Sequence, residues 1–118
     1  MGIDLPFTNE NVKKILEGRK DHTTRTQHYH VGDIFTVFDD RDPYHTHIRK
    51  YVIIQAFRTR IGYIRDRYWK GEGYSSSKEF EVSWCRLHPR ENKNGFDPDK
   101  LKWHYVFAPS DNPGGKFF

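Results

Sequence analysis

The residues with the clearest chemical potential are a lysine, a threonine and an arginine that stand close together early in the chain. They lie in the segment Gly18 to Arg25, which reads G-R-K-D-H-T-T-R and fits the pattern G-x-K-x-x-T-x-R. The pattern places Lys20, Thr23 and Arg25 between an amphipathic stretch and the start of a strand. Clustered cations can hold an anion, and a lysine among other cations can become a nucleophile. On its own, the segment predicts an anion-binding loop.

The element that precedes this cluster and positions it is predicted to be a short helix. Within residues 9–17 apolar side chains recur at helical spacing, and Thr8 is a suitable N-cap. Gly18 is placed to end the helix, because glycine readily adopts the left-handed conformation that follows a helix C-terminus. We therefore expect Lys20 to leave a helix end and enter an extended segment.

The rest of the chain is predicted to contain several strands and one more helix. Strand patterns cover three stretches, residues 32–38, 47–59 and 103–108. The second of these is expected to continue through residues 60–64, past a bend at Gly62. Ser76 and Glu79 match a capping box that opens a helix running to Pro89. Because helices and strands do not alternate as βαβ units, this order predicts an α+β class, either a small mixed barrel or an open antiparallel sheet.

Length, charge and cysteine content restrict the class of protein. The 118 residues fit one domain spanning 1–118, with a mobile tail from about residue 109. The formal net charge of +4 suits an anionic partner such as nucleic acid. The single cysteine, Cys85, excludes an internal disulfide and makes a cytoplasmic location the default. No apolar run approaches the ~20 residues of a membrane span, and no glycine-rich fingerprint indicates a cofactor.

Together these segments resemble the ASCH domain family (activating signal cointegrator homology). The predicted helix, the G-x-K-x-x-T-x-R pattern and the Val-Gly-Asp of residues 31–33 are similar to the family's first block. Residues 72–80, E-G-Y-S-S-S-K-E-F, resemble its second block, and residues 103–107, W-H-Y-V-F, resemble its last strand. The match covers roughly residues 5–108. Two motifs in the right order and at the right distance carry the resemblance.

The resemblance implies a PUA-like fold, a small mixed β-barrel with two main flanking helices, and RNA or a nucleoside as the ligand. Some ASCH proteins are amidohydrolases that remove the acyl group from N4-acetylcytidine, and others are nucleases of single-stranded RNA. Carried over by position, the catalytic residues are Lys20, Thr23 and Glu72. The sequence departs from the family pattern at Asp21 and His22, where short apolar or hydroxyl residues are usual.

Each of these residue types has a role that amide hydrolysis requires. A lysine attacks only as the free amine, so its reference pKa of ~10.4 must be lowered by burial or by nearby cations. Thr23 could relay a proton or bind the carbonyl oxygen, and Glu72 could take a proton and return it to the leaving amine. Arg25 could stabilise the developing oxyanion. Arg19 adds positive charge beside Lys20.

The ligand-binding residues predicted beside this catalytic set are Arg19, Arg25 and Tyr74, and two simpler interpretations stand next to them. Tyr74, beside Glu72, could stack on a base. The lysine and arginines could instead form a solvated loop that contacts phosphate, in a non-catalytic nucleic-acid-binding module. In a third interpretation the protein is a structural one that has lost an ancestral activity.

Two further groups of residues have competing interpretations. The pairs His28 and His30, and His45 and His47, could begin a zinc site with help from Cys85 and His88. Such histidines are more often surface or hydrogen-bonded residues, so no metal is predicted. Four arginines could form a phosphate stripe or a charged strand edge. They are Arg58, Arg60, Arg65 and Arg67.

Overall fold

A computed structural model of the protein describes residues 2–38 and 49–110. Within these ranges the chain forms three helices and four strands. In chain order they are α1 (Asn9–Leu16), β1 (His22–Arg25), β2 (Ile34–Val37), β3 (Arg49–Arg60), α2 (Ile61–Tyr68), α3 (Ser77–Leu87) and β4 (Leu101–Pro109). The strands form one antiparallel sheet in the order β1-β4-β3-β2, curled into half a barrel. This confirms the predicted α+β class and adds one helix to the two that were expected.

The core packs against the sheet and is rich in aromatic side chains. Phe35 and Val37 alternate with exposed residues along β2, as the pattern predicts. Phe35, Tyr51 and Phe107 pack in mutual ring contact, with Phe35 and Phe107 centroids 5.2 Å apart. A second, smaller cluster joins α2 to α3 through Ile61, Ile64, Phe80 and Trp84. Burying these rings supplies most of the hydrophobic stabilisation that the few leucines cannot.

The two helices predicted from local signals are present with their caps. Thr8 Oγ1 accepts a hydrogen bond from Asn11 N at 3.2 Å, and Gly18 has φ 78° just after α1. Ser76 Oγ accepts from Glu79 N at 3.0 Å and begins α3. In a complete capping box the Glu79 carboxylate would accept a hydrogen bond from the backbone N–H of Ser76. Here it accepts from Ser75 N, one residue earlier.

The prediction that the second strand continues through residues 60–64 is wrong. Strand β3 ends at Arg60 and the helix α2 begins at Ile61. Ile61 and Ile64 are both fully buried at helical spacing, which favours a helix over a strand. Gly62 lies against Pro98, where a Cβ atom would come within 2.7 Å of the proline Cβ. This contact with the later loop is not visible in the local sequence.

Some predictions fall outside the described residues. These concern His45, His47 and the tail from residue 111 onward. Pro109 belongs to β4, and Ser110 N donates to Lys50 O at 2.8 Å. The chain is therefore held in the sheet at the position where the mobile tail was predicted to begin.

Candidate functional site

The two sequence blocks of the site are joined through their backbones. After α1, Arg19 N and Lys20 N donate to Lys14 O at 2.8 and 3.2 Å, which turns the chain toward β1. Asp21 N and His22 N then both donate to Gly71 O, at 2.9 and 3.1 Å. The loop after α2 is thereby fixed against the segment that carries Lys20.

The loop can approach this closely because residues 71 and 73 are glycines. A Cβ atom at Gly71 would overlap the His22 ring. Gly73 has φ 94°, a conformation that L-residues rarely adopt, and a Cβ there would lie 3.2 Å from Lys20 Cβ. The glycines on either side of Glu72 therefore place its carboxylate against Lys20.

Lys20 and Glu72 form a buried ion pair. Both residues are 4% exposed. Lys20 Nζ donates to Glu72 Oε1 at 3.2 Å and to the backbone oxygen of Glu72 at 3.1 Å. The structure thus brings together the lysine and the carboxylate that the sequence resemblance paired.

The second carboxylate oxygen of Glu72 contacts two residues that the sequence did not indicate. Thr24 Oγ1 donates to Glu72 Oε2 at 2.5 Å, and His104 Nδ1 lies 3.4 Å from the same oxygen. Thr24 Oγ1 and His104 Nδ1 are 3.1 Å apart. These two residues stand opposite each other in the pairing of β1 with β4, so the sheet itself positions them.

Burial and the ion pair act in opposite directions on the protonation of this cluster. Burial raises the pKa of the Glu72 carboxyl, but Lys20, His104 and Thr24 outweigh it and lower the pKa to about 2. Burial lowers the pKa of the Lys20 ammonium, Glu72 opposes this shift, and Arg25 and Lys14 add to it. Glu72 is therefore ionised at neutral pH, and Lys20 gives up its proton more readily than an exposed lysine.

Thr23 and Arg25 extend the cluster along β1. Thr23 is 4% exposed, and its Oγ1 accepts a hydrogen bond from Arg25 Nε at 3.3 Å. The Arg25 guanidinium also donates to Pro6 O at 2.6 Å and lies 4.7 Å from the centre of the Phe7 ring. The chain before α1 thus holds the arginine in place beside the threonine hydroxyl.

These residues line a cavity of about 230 Å³. Its polar wall carries the Lys20–Glu72 pair, and aromatic side chains from the N-terminal segment, the loop before α3 and α3 itself form the rest. The lining residues are Pro6, Phe7, Thr8, Asn11, Lys20, Thr23, Thr24, Arg25, Glu72, Tyr74, Phe80, Trp84, Leu87 and His88. Polar groups converging on one side of an aromatic cavity are typical of a small-molecule site.

Tyr74 and Arg19 have different positions relative to this cavity. Tyr74 lines it, and its hydroxyl donates to Ser83 Oγ at 2.9 Å. Arg19 points away, paired with Glu17 at 2.7 Å, and borders a separate open hollow together with Lys70. Of the six residues predicted for the site, Arg19 is the one that the structure does not bring to the cavity.

The arginines considered as a phosphate stripe are largely engaged with neighbouring side chains. Arg65 pairs with Asp66 and Glu81, both at 2.8 Å. Arg60 lies 3.9 Å from Asp99, and the Arg67 guanidinium covers the Tyr63 ring at 5.2 Å. These contacts count against a free phosphate stripe, and the strand-edge interpretation is wrong for Arg65 and Arg67 because they lie on helix α2.

The histidines visible in the structure are occupied by aromatic and hydrogen-bond contacts. His28 stacks on Trp103 with centroids 3.9 Å apart, and His88 stacks on Trp84 at the same distance. In the part of the chain that the structure describes, no three histidine, cysteine or carboxylate side chains lie close enough to share a metal ion. Over the same residues, no helix combines the length and the apolar character of a membrane span.

Two solved structures are similar to this chain over most of its length. The crystal structure of an ASCH domain from Lactobacillus crispatus JV V101 has a TM-score of 0.70 and 14% identity, covering 92% of this chain and 77% of that one. A DUF984 protein from Enterococcus faecalis V583 has a TM-score of 0.63 and 16% identity, covering 87% and 68%. No family model and no curated protein matches the sequence. The likeness shows that the chain has the ASCH, PUA-like fold, and it supports the resemblance of the two sequence blocks to the ASCH family.

Proposed function

We propose that the cavity binds one pyrimidine base and that the protein hydrolyses an acyl group from N4 of cytidine. The observation that carries this proposal is the buried pair of Lys20 and Glu72, with Thr23 and Arg25 on the same cavity wall. An ion pair is costly to bury and adds little stability compared with apolar residues of the same size. Placed in the wall of a cavity, it is instead a candidate acid–base pair.

The size of the cavity favours a nucleoside over a stretch of RNA. Its volume of about 230 Å³ lies below the roughly 300–1,000 Å³ of pockets that hold drug-sized ligands. One base fits that scale, and several stacked nucleotides do not. Phe7, Tyr74 and Trp84 make part of the cavity wall aromatic, which suits contact with a planar ring.

Lys20 is the group best suited to move the proton that amide hydrolysis requires. Its Nζ can pass a proton to Glu72 Oε1, 3.2 Å away, and then act as a free amine. An acyl group carried on Nζ would itself be an amide, no easier to hydrolyse than the substrate. We therefore assign Lys20 as a base and the Thr23 hydroxyl as the nucleophile; both line the same cavity, and the mechanism requires them to come within hydrogen-bond reach when substrate is bound.

The proposed reaction has two balanced steps. The amine takes the proton of the Thr23 hydroxyl, Oγ1 bonds to the acyl carbon, and the carbon–nitrogen bond breaks as the ammonium returns that proton to N4 of cytidine. Water then hydrolyses the Thr23 ester by the same transfers. The Arg25 guanidinium, 3.3 Å from Thr23 Oγ1, stabilises the oxyanion of both tetrahedral intermediates. At neutral pH the products are cytidine, a carboxylate and one released proton.

The direct test is hydrolysis of N4-acetylcytidine, followed by separation of cytidine from substrate. Lys20→Met and Glu72→Gln are each expected to lower kcat by about 10²-fold or more, the usual contribution of a general acid or base. The chain provides a control in a second, partly buried pair, because Lys102 Nζ donates to Glu91 Oε1 at 2.5 Å and neither residue lines the cavity. Lys102→Met should lose stability and keep its activity per folded molecule.

Two outcomes would remove the enzyme proposal. Absence of turnover in the folded wild-type protein is one, and full activity in folded Lys20→Met is the other. Cleavage of single-stranded RNA, assayed alongside, would instead assign the cavity residues to phosphodiester chemistry.

A second candidate function is nucleic-acid binding without catalysis. The net charge of +4 favours it. It predicts RNA binding that weakens as salt is added and that survives Glu72→Gln, because a phosphate binder gains nothing from a buried carboxylate. RNA affinity without turnover of either substrate would select this function.

A further inference from the structure

A row of close polar contacts, with one hydrogen bond between two histidines, continues from the cavity to the surface on the far side of Glu72. His104 Nδ1 lies 3.4 Å from Glu72 Oε2, and His104 Nε2 lies 2.8 Å from His22 Nδ1. His22 Nε2 is in turn 3.5 Å from Asp21 Oδ1. Side-chain exposure rises along the row, from 0% at His104 to 16% at His22 and 63% at Asp21. The row therefore connects a buried carboxylate to solvent.

The two imidazole rings are held in position by aromatic packing. The Tyr68 ring stacks on His22 and on His104, with centroid distances of 5.5 and 4.8 Å and an interplanar angle of 24° in each case. Phe57, on β3, lies 5.3 Å from the His104 ring. The His22 ring occupies the space that a Cβ atom at Gly71 would need. The ionisable and polar groups that contact the two rings are Glu72, Thr24, Asp21 and Tyr68.

Direct contact between two imidazole nitrogens has a specific chemical meaning. Between His22 and His104 one ring must donate and the other must accept, so a neutral pair shares one proton. Imidazole can take a proton at one nitrogen and release another from its second nitrogen near neutral pH. Burial, and then His104, lower the pKa of His22, which keeps that ring neutral and able to pass a proton on.

We propose that His104 and His22 form a proton path between Glu72 and solvent at Asp21. In the outward direction, a proton on Glu72 Oε2 passes to His104 Nδ1 while His104 Nε2 gives its proton to His22 Nδ1. His22 Nε2 then releases a proton to Asp21 or water. One proton enters the path and one leaves it, each ring changes tautomer, and the same transfers in the opposite direction restore the starting state.

The path lets the Lys20–Glu72 pair exchange protons with solvent during the proposed reaction, and to this extent the inference rests on the proposed function. Each turnover releases one proton next to the Lys20–Glu72 pair, while substrate and product occupy the cavity. The row of imidazoles offers a route that does not pass through the occupied cavity. His22 and His104 act here through Glu72 and are positioning residues, because neither lines the cavity.

The first experiment measures proton exchange and does not depend on turnover. The exchange rate of the His104 ring N–H with water is followed by ¹⁵N NMR in the wild type and in His22→Asn. The asparagine amide can keep a hydrogen bond to His104 but cannot carry a proton. Exchange should slow severalfold or more, because an amide does not take up and release protons near neutral pH as imidazole does. An unchanged rate would overturn the path.

The second experiment uses turnover of N4-acetylcytidine. His22→Ala is expected to lower kcat severalfold with little change in KM, and imidazole added to the buffer should restore the rate. Rescue by a soluble proton carrier distinguishes a path from a structural role. His28→Asn, which alters a histidine stacked on Trp103 outside the cavity, is the matched control and should need no rescue.

The two proposals fail separately. If the wild-type protein does not turn over the substrate, the proposed function is lost and the exchange measurement still decides the path. If turnover is normal in His22→Ala without imidazole, the path is overturned and the proposed function stands. If the His22 variants fold poorly, both measurements are made on Asp21→Asn, which alters an exposed residue.

Discussion

Glu72 is the residue on which the chemistry of the cavity depends, because it contacts both the lysine and the imidazole row. Its Oε1 accepts from Lys20 and its Oε2 from Thr24. Removing one partner of a buried charge leaves the other uncompensated, at a cost of about 3–5 kcal/mol. Any measurement on this residue must therefore separate stability from catalysis.

The lowered pKa of Glu72 predicts a specific loss of stability in acid. Its pKa is about 2 in the folded protein and 4.5 in the reference state, so the folded state binds this proton less tightly than the unfolded state. The resulting stabilisation is present above pH 4.5 and is lost as pH falls toward 2. The shift corresponds to on the order of 3 kcal/mol.

Urea unfolding of the wild type and Glu72→Gln at pH 6 and pH 3 measures this contribution. The free energy of unfolding should fall more steeply with acid in the wild type than in the variant. Glu10→Gln, which removes an exposed carboxylate, is the control and should follow the wild type. Parallel pH curves for the wild type and Glu72→Gln would show that Glu72 does not titrate as described.

At the scale of elements, the site is assembled by contacts that no local pattern contains. Lys20, Thr23 and Arg25 were predictable because one motif holds all of them. Thr24 and His104 were not, because they meet only through the pairing of β1 with β4. Both Thr23 and Thr24 are buried, since the loop after α2 covers a strand face that would otherwise be open. The alternating pattern expected of a half-exposed strand is therefore absent.

The helices show the same division between local and distant signals. The caps at Thr8 and Ser76 are local hydrogen bonds, and they identified α1 and α3 correctly. Helix α2 has no side-chain cap and follows β3 without a break. Its signal is the spacing of Ile61 and Ile64, which fits a helix only once both are known to be buried. The predicted strand was therefore extended wrongly into residues that belong to α2.

Gly71→Ala tests the contact between the loop and β1. The added methyl group would overlap the His22 ring, so we expect a loss of stability of about 1–3 kcal/mol. The displaced ring should also disturb the hydrogen bond between His22 and His104, visible as a change in their ¹⁵N shifts. Gly2→Ala, where a Cβ meets nothing within 4 Å, is the control. A fully stable Gly71→Ala with unchanged His22 signals would contradict the close approach described here.

For the whole molecule, the open question is how far a ligand extends beyond the cavity. The fold is one half-barrel sheet with three helices over the described residues, and its net charge of +4 is spread over the chain. Lys20 and Arg25 are the cations of the cavity, and both are engaged by neighbouring oxygens. Contact with an RNA backbone would have to come from cations elsewhere on the surface.

Salt dependence separates the two possibilities. N4-acetylcytidine carries no charge, so its KM should stay nearly constant between about 50 and 200 mM salt. For single-stranded RNA that contains the same base, each phosphate contacted should add about −0.7 to the slope of log K against log salt. A slope near zero for RNA would mean that the protein recognises the base alone and that the positive charge is incidental. A steep slope for RNA would instead indicate phosphate contacts outside the cavity. If Arg58→Gln lowers the magnitude of that slope by about 0.7, the value for one phosphate contact, the RNA site extends from the cavity along β3.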